Sequence, residues 1–74
     1  MNIDEERIDD VVLALLQLTL HDERCAWKGF DFAVLDRLYK KGLIGDPVNK
    51  SKSLVLTDVG LAKSKSVFSE MFVE

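Results

Sequence analysis

The chain has 74 residues, 47% of them hydrophobic and 31% charged, and a formal net charge of -3. That length allows one domain spanning residues 1–74, near the size at which a single core barely suffices, and the composition excludes disordered and collagen-like chains. The acidic balance argues against nucleic acid as the default partner, because a domain devoted to DNA usually carries a basic surplus.

Cys25 is the single cysteine, so no internal disulfide can form and a reducing compartment is the simpler expectation. The opening MNIDEERIDD is acidic, unlike a signal or transit peptide. The apolar run Val11 to Leu16 is far shorter than the roughly 18 residues that a membrane span needs. A soluble, cytoplasmic protein with no membrane partner is expected.

A first helix is expected from Asp4 to about Leu20. Asp4, Glu5, Glu6 and Asp9 lie near its start, at the positive end of the helix dipole. Turned at about 100° per residue, Ala14, Leu18, Val11, Leu15, Ile8, Val12 and Leu16 form one broad apolar face. Leu13 and Leu20 lie outside that face, beside Gln17. A helix with apolar residues on two sides needs partners on two sides. Either a neighbouring loop covers Leu13, Gln17 and Leu20, or they form the seam of a homodimer.

His21 to Phe30, HDERCAWKGF, is the least regular stretch and reads as a turn or a single short helical turn. Trp27 is placed to plug the gap between helices. The second helix is the best specified. Asp31 can act as N-cap through its carboxylate, and Phe30 and Leu35 have the spacing of a hydrophobic staple. Val34, Leu35, Leu38 and Tyr39 make the inward stripe. Lys40 and Lys41 stand in the last turn, and Gly42 followed by Leu43 predicts a Schellman closure onto Leu38.

Leu43-Ile44 is long enough only for a minimal strand, Asp46-Pro47 marks a turn, and Asn49 to Lys52 forms a polar tip. Ser53 to Leu56 is the returning strand. Thr57 caps a last helix running to about Phe72, with Leu61, Phe68, Met71 and Phe72 inward and Val67 at the edge. Gly60 costs about 1 kcal/mol of helix propensity and predicts a close backbone approach.

LDRLYKKGLI, a basic loop and LVLTDVG together resemble the second half of a PadR- or MarR-type winged helix. The resemblance makes the helix ending in Gly42 a recognition helix and the following hairpin a wing, with Leu56, Thr57 and Gly60 opening the last helix. The whole chain, including HDERCAWKGFDFAVLDRL, also resembles a bacterial family of small stand-alone domains of unassigned function. The expected fold is mainly α with a small β-hairpin. It is a degenerate winged-helix-like domain of three main helices and a short two-stranded wing, lacking the helix that should precede the recognition helix.

Base-reading residues of a recognition helix lie near its N-terminal end. Here those positions are Asp31, Phe32, Ala33 and Asp36, and two carboxylates would repel the phosphate backbone. Arg37, Lys40, Lys41, Lys50 and Lys52 remain as a candidate phosphate patch. Phe32 lies off the inward stripe and marks a candidate partner-facing patch with Leu13, Gln17 and Leu20.

His21 and Cys25 have the spacing to share a helix face, with Asp22 and Glu23 beside them, but catalysis needs nucleophile, base and oxyanion donors together. A structural zinc site wants four ligands, and the chain has one Cys and one His. The glycines at 29, 42, 45 and 60 form no phosphate loop. No catalytic, cofactor or metal residue is assigned, and no enzyme is expected. The favoured reading is a protein-interaction or dimerisation module, with a homodimer or another protein as partner; the alternative is a DNA-binding regulator contacting phosphates through the second helix and wing.

Overall fold

A computed structural model describes residues 2–74 and orders the elements as α1 (Glu5–Leu15), β1 (Cys25–Trp27), α2 (Phe32–Lys40), β2 (Ser53–Val55) and α3 (Asp58–Phe72). Among the described residues the fold is thus mainly helical, with three helices and one two-stranded antiparallel sheet, as expected.

Asp4 caps α1, its carboxylate accepting from the Arg7 N–H at 3.0 Å. The helix loses α geometry after Leu15 and tightens into a 3₁₀ turn over Leu16–Thr19, so it is shorter than the expected run to Leu20. The reason is the strand that follows. Leu20 is already extended, and the His21 and Cys25 backbones exchange N–H···O bonds of 2.8 and 2.9 Å. Asp22 and Glu23 make this reversal with φ of 48° and 70°. Two adjacent side-chain-bearing residues with positive φ carry no glycine signal, so the sequence concealed both the turn and the strand behind it.

β1 therefore replaces the expected irregular turn. Its register with β2 pairs Cys25 with Val55, Ala26 with Leu54 and Trp27 with Ser53. Ala26 and Leu54 face the core, and alternation puts Trp27 on the outer face, 52% exposed rather than wedged between helices. On the other side of the returning strand, the hairpin arm at Ile44 is reduced to a single bridge to Leu56, with the Gly45 N–H donating to the Val55 carbonyl at 2.8 Å.

α2 starts at Asp31, but through its backbone. The Asp31 carbonyl accepts from Val34 and Leu35, while its carboxylate makes no cap bond, unlike the sequence expectation. The C-terminus closes as expected. Gly42 has φ 76°, the Leu43 N–H reaches the Leu38 carbonyl at 3.0 Å, and the Gly42 N–H reaches Tyr39 at 2.9 Å.

α3 is locked to that closure. The Thr57 hydroxyl donates to the Gly42 carbonyl at 2.7 Å and accepts from the Gly60 N–H at 3.0 Å. Gly60 sits directly against the Leu43 backbone, where a Cβ would overlap the carbonyl group. Gly60, Ser64 and Val67 form the buried line of α3, whereas Met71 and Phe72 are exposed rather than inward. The core joins Val12, Leu13 and Leu16 of α1 and its extension to Val34, Leu35 and Leu38 of α2, with Ile44, Leu54 and Leu56 from the strand region.

Gly60→Ala should cost at least about 3 kcal/mol, because the overlapping atoms are backbone and cannot step aside. Gly29→Ala, at a position with open space, should stay within about 0.5 kcal/mol of wild type. Urea melts of the two variants check this pair.

Candidate interaction surfaces

The two sides of α1 have exchanged roles. Leu13 is fully buried and Leu20 packs against the core, while the Gln17 side-chain amide donates to Ser64 Oγ at 2.9 Å. The Ser64 hydroxyl, fully buried, in turn donates to the Leu13 carbonyl at 2.6 Å. Leu13, Gln17 and Leu20 are therefore occupied inside the protomer by α3 and the core, and the surface seam expected on them is absent. The cause is that α2 and α3 both pack on the Leu13 side of the helix.

The opposite side is left outside. Of the broad apolar face, Ala14, Val12 and Leu16 are buried, Val11 and Leu15 are half-buried, Ile8 is 39% exposed and Leu18 is 68% exposed. Ile8, Val11 and Leu15 follow helical spacing along α1, and Leu18 extends this aliphatic stripe from the 3₁₀ turn. At its N-terminal end an open apolar groove of about 390 Å³ is lined by Asp4, Arg7, Ile8, Val11 and Val12.

Of the five cations expected to meet phosphate, Arg37 and Lys41 are turned inward. Asp9 is fully buried, and its carboxylate receives Arg37 Nε at 2.9 and 3.0 Å and Lys41 Nζ at 2.8 Å. Arg37 also reaches Glu5 at 3.0 Å, and Lys41 reaches Glu6 at 2.9 Å. Lys40 pairs with Asp36 of its own helix at 2.9 Å. Lys50 and Lys52 are exposed and, among the described residues, have no ion-pair partner. The loop carrying them is held from below by Lys28, whose Nζ donates to Pro47 O at 2.9 Å and Asn49 Oδ1 at 2.9 Å.

Burial alone would raise the Asp9 pKa, but the hydrogen bonds and charges of Arg37 and Lys41 outweigh it and hold the carboxyl below its ordinary value. The Asp9 hydrogen bond correspondingly raises Arg37. Lys41 is pulled down by burial and up, by more, through Asp9 and Glu6. A signal for this cluster existed: Asp9 shares a face with Leu13 and Leu16, a carboxylate inside a core stripe that needs a cationic partner.

Phe32, at the start of α2, is 54% exposed and lies apart from the α1 stripe in sequence. His21 and Cys25 meet through their backbones. The Thr19 carbonyl can only accept, so His21 Nδ1 carries a proton and donates to it at 2.9 Å, and in the neutral ring Ser53 Oγ donates to Nε2 at 3.0 Å. Both ring nitrogens are thus engaged, and the ring lies 4.7 Å from the Trp27 ring. Among the described residues, no group of three or more His, Cys, Asp or Glu could hold a metal ion, and no helix is long and apolar enough to cross a membrane.

A family model, Domain of unknown function (DUF6429), matches residues 4–74. The chain belongs to this family. Within it, the chain is 69% identical over 72 residues to "Uncharacterized protein y4hR" of Sinorhizobium fredii, a match covering 97% of each chain. This agrees with the expected small-domain family. No solved structure matches the DUF6429 chain.

The Asp9 cluster makes a pH prediction. A carboxyl whose folded pKa lies below its unfolded value of about 3.9 stabilises the fold above that pH and loses its contribution as pH falls through the folded value. Wild-type stability should therefore decline below about pH 4, and the decline should be shallower in Asp9→Asn. At pH 7 that variant should lose about 2 to 3 kcal/mol, at or below the low end for breaking a buried pair because Arg37 and Lys41 still reach water. Urea melts from pH 2.5 to 7 read both effects.

Proposed function

We propose that the DUF6429 chain is a non-catalytic protein-interaction module on a degenerate winged-helix scaffold, docking through the outer face of α1 in a reducing compartment such as the cytoplasm. The observation that carries the reading is the aliphatic stripe of Ile8, Val11, Leu15 and Leu18, in which Ile8 and Leu18 are exposed and Val11 and Leu15 half-buried. Scattered exposed aliphatics are ordinary on a soluble protein; a contiguous stripe beside an apolar groove is the pattern of a contact surface.

The scaffold part of the reading is supported by strand order. The returning strand lies between Cys25–Trp27 on one side and Ile44 on the other, and α2 ends at the glycine closure that leads into Ile44. That is a wing with one arm shortened to a bridge. The segment between α1 and α2 contains the 3₁₀ turn Leu16–Thr19 and β1 but no α-helix, which is why the scaffold is degenerate.

Nucleic acid is the weaker partner because Arg37, Lys40 and Lys41 are already neutralised by carboxylates, leaving Lys50 and Lys52 from the candidate patch. Two free lysines offer few phosphate contacts, and phosphate contacts supply non-specific affinity. Titration of random duplex DNA at low salt should give no binding. Measurable affinity that falls steeply with salt would instead establish the DNA reading.

The docking surface itself is tested by photochemical carbene labelling of side chains. Ile8 and Leu18 should label strongly in dilute purified protein and be shielded in intact cells producing the chain. Equal labelling in both settings would overturn the proposal.

A further inference from the structure

Resting on the reading of α1's outer face as a docking surface, we propose that its occupant is a second copy of this chain. The copies lie antiparallel along α1 about a two-fold axis between Val11 and Leu15, each inserting Leu18 into the groove of the other.

The face is complementary to itself. One end carries a protruding side chain, Leu18, with most of its surface in water; the other end carries a hollow bounded by Asp4, Arg7, Ile8, Val11 and Val12. Leu18 and Ile8 are separated along the axis by about 16 Å, with the α rise as far as Leu15 and the larger 3₁₀ rise beyond it. Reversing a second copy about the midpoint sets Leu18 against the partner's Ile8 and Val11 against the partner's Leu15. Both hollows fill at once, which is what an isologous interface requires. An unrelated helix would fill one end only by coincidence.

Charge at the rim fits the same register. Arg7 edges the groove and has no ion-pair partner among the described residues. The exposed Asp22-Glu23 turn, also outside every ion pair among the described residues, follows Leu18 closely in the chain. The antiparallel arrangement carries Arg7 towards the partner's carboxylate turn at each end of the seam. Asp4, the one acid lining the groove, is already directed at the Arg7 N–H.

Sedimentation equilibrium from micromolar to millimolar concentration should find a reversible dimer. Leu18→Glu should be monomeric throughout with an unchanged thermal midpoint, since the side chain is outside the core. Arg7→Glu and Glu23→Arg should each weaken dimerisation about fivefold, and the two together should restore it. A dimer that survives Leu18→Glu, or one that the double charge exchange fails to rescue, overturns the arrangement. A wild-type chain that stays monomeric at millimolar concentration overturns the second copy as occupant. If Ile8 and Leu18 are nonetheless shielded in cells, the docking face stands with a different occupant; if they are not, both readings fall.

Discussion

The buried carboxylate of Asp9 is the constraint on which the arrangement of helices depends. An ionised group without solvent must be met by cations, and here Arg37 of α2 supplies a forked contact and Lys41, the C-cap of that helix, a second one. A purely apolar contact between two short helices would tolerate rotation, because Leu and Val side chains repack with little loss. A carboxylate with directional donors on one partner does not. It fixes which side of α1 faces α2, and Leu13 and Leu16, on the same side as Asp9, enter the core with it. The stripe of Ile8, Val11, Leu15 and Leu18 lies on the far side as a direct consequence.

The second consequence concerns α3. With Leu13 turned inward, its carbonyl is available to Ser64, and the small side chains of Gly60 and Ser64 let α3 lie close to its neighbours. Gln17 then closes the contact by donating to the same hydroxyl. A short chain has few large residues to spend on each helix pair. Ser64 meets the α1 backbone and Gly60 the backbone of Leu43, so α3 is held close at both places without a large side chain.

What could be read from the sequence was what is local. The glycine closure of α2, the threonine cap of α3 and the close approach at Gly60 each depend on a few neighbouring residues, and each stands in the structure where expected. The Asp31 cap was also a local inference and failed in its chemistry, because the carboxylate is not the group that caps. β1 was hidden because its partner lies across α2 in sequence and its turn uses Asp22 and Glu23 rather than glycine. The facing of α1 was legible in part. Of the seven apolar residues of the wider arc, Val12, Ala14 and Leu16 are buried, but the centre of the buried side is shifted towards Asp9, whose meaning depends on cations distant in sequence.

The same ion cluster bears on how a helix placed like a recognition helix acquires another role. For Arg37 or Lys41 to neutralise phosphate, each must leave Asp9, which would strand a carboxylate in the core at a cost of roughly 3 kcal/mol or more. A single exposed contact with phosphate, screened by salt, returns less than that at ordinary ionic strength. The cations of α2 are therefore committed to folding before any ligand arrives. Their usefulness is transferred to α1, whose orientation they hold, and with it to the aliphatic face that α1 presents to solvent. The second helix thus acts as a strut that sets the orientation of the first.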